Sequence, residues 1–176
     1  NSDADRVEAL GGNPLHIDRY EDHKSDPPIG MSDSEQEAYV IFTSGSTGTP
    51  QGVPISMSAI TDYVVGFNEY FDLNTNDKIL HQASIAFDTS LEEIFPTLVA
   101  GATLVIAYEE KDFANLLDLV KQHEISVIST NPYFIDYLNN YVDELNCLRL
   151  IISGGDKLKP AMCDQLIDHI PVYNTY

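Results

Sequence analysis

Basic side chains are scarce in this sequence. Its 176 residues carry 9 Lys and Arg against 28 Asp and Glu, for a formal charge of -19. A field of that sign repels nucleic-acid backbones and anionic lipid surfaces, which argues against both as partners. Any phosphate site must be local, built from backbone N–H groups, hydroxyls and a metal ion. Cysteine is nearly absent. Cys147 and Cys163 stand in no metal-ligand spacing and read as two buried thiols of a reducing compartment. No apolar run reaches the ~20 residues of a membrane span, and no signal-peptide pattern opens the chain. The expectation is a soluble, cytoplasmic protein without membrane insertion. Internal repeats and low-complexity segments are missing too.

What is present is globular in kind, 43% hydrophobic and 21% charged, enough to build a sizeable core. Residues 1–37 differ from the rest. They carry Gly11-Gly12, Pro27-Pro28 and many acidic residues, and read as a peripheral lead-in with one candidate strand at Leu15–Ile17. From Ala38 to Tyr176, short apolar runs alternate with helical patterns. Strands are expected at 38–42, 53–55, 79–82, 103–107, 126–129, 148–153 and 172–174. Helices are expected from Ser56 or Ser58 to Phe71, and over 90–99, 112–123, 133–141 and 160–169. This alternation predicts an α/β fold, a mostly parallel sheet flanked by helices on both faces. Ligands of such sheets bind at the carboxyl ends of the strands.

Four segments follow candidate strands. The first is Thr43-Ser44-Gly45-Ser46-Thr47-Gly48-Thr49-Pro50-Gln51-Gly52. Its glycines allow successive N–H groups to face one anion, and its hydroxyls add donors, which suits a polyphosphate. An ordinary polar surface loop is the plainer reading. The segment is neither a Walker A loop nor a dinucleotide-binding Gly-x-Gly-x-x-Gly, and it lacks the Gly-x-Ser-x-Gly of a nucleophile elbow. The second is Phe87-Asp88-Thr89-Ser90, where Asp88 either caps the next helix or awaits a cation. The third, Ser153-Gly154-Gly155-Asp156, allows a flat ligand to approach closely or serves as a plain turn. The fourth is Asn174-Thr175-Tyr176. The five histidines show no paired spacing, and His81 reads as structural.

Tyr39-Val40-Ile41-Phe42 followed by the first segment closely resembles the phosphate-binding signature of the AMP-forming adenylation superfamily. That superfamily includes acyl-CoA synthetases, nonribosomal peptide synthetase adenylation domains and D-alanine–carrier protein ligases. The resemblance covers Ala38 to Tyr176 and implies ATP- and Mg²⁺-dependent activation of a carboxylate. Under it, Thr43, Ser44, Gly45, Ser46, Thr47, Gly48 and Gln51 would bind ATP phosphates. Gly154, Gly155, Asp156, Asn174 and Tyr176 would serve adenine and AMP. Phe87, Asp88, Thr89, Glu92, Ser129 and Ile152 would face the substrate. Asp88 would pair with an α-ammonium, which favours an amino acid over a fatty acid.

The expected partners are an amino acid, ATP and the phosphopantetheine thiol of a carrier protein. A peptide-synthetase adenylation domain is the first expectation and a D-alanine–carrier protein ligase the alternative. An acyl-CoA synthetase and a non-catalytic remnant of the fold follow. Gln51 departs from the usual Lys, and Asp156 from the usual Glu. The fourth segment matches only the start of a longer family motif, and the family's catalytic Lys lies in a C-terminal domain. A central piece of an adenylation domain, with no catalytic residue or metal ligand of its own and inactive alone, is therefore expected.

Overall fold

The computed structural model describes residues 34–44, 50–107 and 112–176. They fall within one compact unit, Asp33–Tyr176. The candidate strand at 15–17 lies outside the described residues, as do Gly45, Ser46, Thr47 and Gly48.

β1 (Glu37–Ser44) and β2 (Pro50–Ser56) pair antiparallel as a separate two-stranded sheet, with Thr43 opposite Gln51. The sequence pattern placed both among the strands of a mostly parallel series. The link between them is too short for a parallel crossover, so a hairpin is the available solution. Ser56 ends β2 and caps α1 (Met57–Phe71), accepting from Ala59 N at 3.2 Å. The start of α1 is tied back to the entry of β1 through Met57 N to Gln36 O, at 2.8 Å.

The main sheet has five parallel strands in the order β4-β3-β5-β6-β7. They are β3 (Lys78–His81), β4 (Thr103–Ile106), β5 (Val127–Thr130), β6 (Leu150–Ser153) and β7 (Val172–Asn174). Between them run α2 (Thr89–Val99), α3 (Phe113–His123) and α4 (Pro132–Leu138). Asp112 caps α3 at Ala114 N, 2.8 Å. Asn131 caps α4 at Tyr133 N and Phe134 N, and Pro132 sits at the first helical position, where a missing N–H costs nothing.

Side chains alternate across each strand and fill two cores. Leu80, Ile128 and Ile151 join Leu117, Val120, Phe134 and Ile135 on one face. Ile79, Val127, Leu150 and Ile152 meet Phe71 at the end of α1 on the other. Both faces of the sheet are therefore covered, and β5 and β6 are buried along their whole length.

A helix expected over 160–169 is instead two short 3-10 turns, Pro160–Met162 and Leu166–Asp168. Asn139 explains the break. Its Oδ1 accepts from Gln165 N and Leu166 N, both at 3.0 Å, and its Nδ2 donates to Asp164 Oδ1 at 2.8 Å. Those backbone amides are diverted from the helical pattern. Both cysteines are free. Cys163 is buried as expected, whereas Cys147 is only half-buried.

At the amino ends of the strands, Arg149 holds the buried Asp77 with two nitrogens, each at 2.7 Å. It also donates to Phe71 O and Asp72 O, which fixes the end of α1 to the foot of β3 and β6. Burial raises the Asp77 carboxyl, but hydrogen bonds from Arg149, Ser126 and Asn74 N outweigh it and hold the group below its ordinary range.

Candidate functional site

The chain leaves β3 toward β4 on one side and returns to β5 on the other, so the strand order reverses at the β3–β5 boundary. Crevices for ligands form beyond the carboxyl ends of strands at such a reversal. A cleft of about 1160 Å³ opens there. Its walls are α1, the start of α2, Ser129 of β5, the turn after β6 and the end of the chain from β7, with Tyr39 and Ile55 from the hairpin.

The first turn of α2 contributes Asp88, Thr89 and Glu92 to the cleft. Asp88 is the N-cap residue, with Oδ1 accepting from Thr89 N at 2.9 Å, yet it stays exposed. Four residues on, and therefore on the same helical face, Glu92 is half-buried. Its Oε1 accepts from Ser129 Oγ at 2.5 Å, and its Oε2 accepts from the Tyr63 hydroxyl. Burial, then the hydrogen bond to Glu92 and the charges of Glu92 and Asp88, hold the Tyr63 hydroxyl far above its usual range. Tyr63 is thus a neutral donor. Tyr39 is raised too, by burial first and the charge of Asp88 second.

Also lining the cleft, Gly154 and Asn174-Thr175-Tyr176 lie side by side. Gly154 N donates to Thr130 O at 2.9 Å, and Thr175 donates to Ser153 O through its amide at 2.9 Å and its hydroxyl at 3.0 Å. A Cβ at Gly154 would come within 3.4 Å of Thr175 Oγ1, closer than most contacts of that kind. Gly155 has φ +76°, a left-handed conformation that glycine adopts without strain. Both glycines, Asn174 and the exposed Tyr176 line the cleft.

Other candidate residues are placed elsewhere. Asp156 turns toward α4, accepting from the Tyr133 hydroxyl at 3.1 Å and from Lys157 N at 2.7 Å. Ile152 is fully buried in the core against α1, and Phe87 is exposed outside the cleft lining. Thr43 and Gln51 face each other in the hairpin, Thr43 Oγ1 reaching Gln51 O at 3.5 Å, and both are exposed. Ser44 closes β1 through its backbone, and Gly45 to Gly48 lie outside the described residues.

Two features escape the motif reading. Tyr63 reaches the site from α1, signalled only by its four-residue spacing from Phe67, whose ring lies 5.8 Å away. Behind the cleft, the buried Glu93 accepts from Gln82 N and Ala83 N at 3.2 Å and meets His81 Nδ1 at 2.5 Å. Burial pushes Glu93 up to about 8 against the pull of those amides, and the same burial lowers His81. His81 is bound into the fold, in keeping with its structural reading.

A family model described as AMP-binding enzyme matches residues 3–176. The chain belongs to this family. Among its AMP-binding relatives, surfactin synthase subunit 2 of Bacillus subtilis (strain 168) is 35% identical over 150 residues, which cover 81% of this chain and 4% of the relative. Tyrocidine synthase 3 of Brevibacillus parabrevis is 33% identical over 135 residues, 74% of this chain and 2% of that one. The chain thus spans a few per cent of these multidomain relatives. The Vibrio cholerae adenylation domain AlmE, solved with glycyl-adenosine-5'-phosphate, superposes with a TM-score of 0.75 at 27% identity. That match covers 82% of this chain and 28% of AlmE. The nonribosomal peptide synthetase FmoA3, solved with α-methyl-L-serine-AMP, shares the fold at a TM-score of 0.81 and 21% identity, over 97% of this chain and 22% of its own. The doubly covered parallel sheet is therefore that of the adenylate-forming enzymes. No described helix is long and apolar enough to cross a membrane.

Proposed function

We propose that this chain carries the substrate-facing part of an amino-acid adenylation domain. Asp88 supports the reading best. It lines the cleft at the rim of the parallel sheet together with Gly154, Gly155 and Tyr176. An amino acid brings the α-ammonium that such a carboxylate needs. A fatty acid would leave it unpaired, at a cost of order 3 kcal/mol or more. The relatives are peptide synthetases, which accords with this choice.

In the reaction, a substrate carboxylate oxygen attacks the α-phosphorus of ATP and pyrophosphate leaves. Asp88 fixes the ammonium end, so that the carboxylate points toward the nucleotide. Gly154 and Gly155 keep the wall flat for adenine, and Tyr176 offers it an aromatic face. The segment from Thr43 to Gly52 receives the phosphates at the hairpin. Among the described residues no three His, Cys, Asp or Glu side chains gather to hold a metal. Mg²⁺ needs no such cage, since it is commonly held by phosphates, waters and one or two carboxylates. When bound, it offsets phosphate charge. The protein's own contribution is positioning and charge stabilisation. The aminoacyl group then passes to the phosphopantetheine thiol of a carrier domain, with loss of AMP.

Pyrophosphate exchange by the full-length protein across a panel of carboxylic acids tests the reading. Exchange with at least one amino acid and none with fatty acids is expected. Exchange driven by fatty acids alone would overturn it.

A further inference from the structure

Asp88 and Glu92 give the cleft two carboxylates, one helical turn apart on the same face of α2. Among the described residues, basic and acidic side chains meet at Lys78–Glu124, His81–Glu93, Lys121–Glu144 and Arg149–Asp77, and none of these contacts involves Asp88 or Glu92. The two hydrogen-bond partners described for Glu92 are neutral hydroxyls. Ser129 donates to Oε1 and Tyr63 to Oε2, and the Tyr63 hydroxyl is held far from ionising. Both hydroxyls donate, so the carboxylate is set up as an acceptor, and among the described residues no cationic side chain pairs with it. A half-buried carboxylate in that state is costly until a cation arrives.

If the α-ammonium of the substrate goes to Asp88, one negative charge is left over at Glu92. We propose that Glu92 selects substrates carrying a second cation, a side-chain ammonium, as in the diamino acids ornithine and lysine. The inference rests on the amino-acid reading of Asp88. Neutral side chains would gain a hydrogen bond at most and leave the charge buried. An acidic side chain would meet repulsion from both carboxylates.

Compact ammonium fits better than guanidinium. Each Glu92 oxygen already accepts one hydroxyl, which leaves one acceptor site on each; a point-charge ammonium needs one of them, whereas a two-pronged guanidinium needs both in one plane. The spacing agrees. Residues four apart on a helix have β-carbons about 5–6 Å apart, and the longer Glu side chain extends that further. Two ammoniums separated by three or four methylenes span a gap of that order. Ser129 and Tyr63 come from β5 and α1, so the Glu92 rotamer is pinned from two sides and the pocket is preorganised.

The test is amino-acid-dependent pyrophosphate exchange by the full-length protein, comparing ornithine and lysine with norleucine, glutamine and glutamate. The wild type should favour ornithine or lysine by about 100-fold or more in kcat/KM over norleucine and glutamine. In Glu92→Gln, which keeps the shape and one acceptor oxygen, that preference should fall below about tenfold, with norleucine or glutamine still driving exchange. Residual exchange shows that the variant is folded. A wild type that prefers neutral or acidic side chains overturns the inference and leaves the amino-acid reading standing. So does a diamino-acid preference that survives Glu92→Gln. No exchange with any amino acid removes the amino-acid reading, and this inference with it.

Discussion

Arg149 grips Asp77 in a two-pronged pair, Nε on Oδ1 and a terminal nitrogen on Oδ2, each at 2.7 Å. Asp77 precedes β3 and Arg149 precedes β6, 72 positions further along the chain. Arg149→Ala should strand a buried carboxylate. The expected loss is about 2–4 kcal/mol in chemical denaturation, below the full range for buried pairs because the Arg149 side chain is 37% exposed. Arg149→Lys should recover only part of it, since an ammonium cannot span both oxygens.

The same pair has a pH signature. Asp77 is held below its ordinary value, so its stabilising contribution is complete above the unfolded carboxyl's pKa near 3.8. It is lost as pH falls further, through the folded value. The stability gap between wild type and Asp77→Asn should therefore be flat at neutral pH and close in acid. A gap unchanged at pH 2 would contradict the pairing.

Glu93 works in the opposite direction. Its carboxyl rises from 4.5 to about 8 on folding, so its favourable contribution is full below 4.5 and fades as pH rises through 8. Relative to Glu93→Gln, wild type should lose roughly 3 kcal/mol between pH 5 and 9. His81, lowered by burial, favours the fold above its ordinary 6.5 and offsets part of that slope. Thermal melts across this range, with His81→Gln as a second variant, separate the two groups.

On the proposed reading Asp88 has two jobs, capping α2 and pairing with the substrate ammonium, and substitutions can separate them. Asp88→Asn keeps an acceptor for Thr89 N but removes the charge, whereas Asp88→Ala removes both. Both should lower amino-acid kcat/KM by roughly 2–5 kcal/mol with the ATP KM little changed. Only Ala should also cost about 1 kcal/mol of stability, as a lost cap does. Unchanged amino-acid kinetics in Asp88→Asn would reduce Asp88 to a helix cap.

Gln51 stands exposed in the hairpin opposite Thr43. In the full-length protein, Gln51→Lys should tighten ATP binding by up to about fivefold, the value of an exposed charge contact. The gain should shrink as salt is added. ATP titrations at two ionic strengths measure it, and an unchanged affinity would show a site adapted to Gln.

Much of this was legible in the sequence because the signals were local. Alternation of Val- and Ile-rich runs with capped helical patterns marks the five parallel strands. Ser56 announces α1 at a position where its side chain does cap. The turns after β6 and β7 converge as strand ends of a parallel sheet must. What escaped depends on distance along the chain. Nothing near Gln165 says that Asn139 will take its amide, so a helix was expected where two 3-10 turns form. Tyr63 meets Glu92 across 29 residues, and no spacing rule links them. Asp156 and Ile152 stand in the right segments, but the twist of the turn and the alternation of the strand direct them away from the cleft.

The Asp77–Arg149 clamp sits at the amino ends of the strands, and the cleft at their carboxyl ends, a strand length of about 13 Å away. Its anchors, Ser126, Phe71 and Asp72, lie outside the cleft-lining set except Phe71, which the clamp holds by its backbone oxygen alone. Evolution thus meets two separable surfaces. On the proposed reading, Thr89, Glu92 and Ser129 govern which molecule is accepted, and none of them belongs to the Asp77–Arg149 clamp. On that reading, a change of substrate through the cleft leaves the contacts of the clamp itself in place.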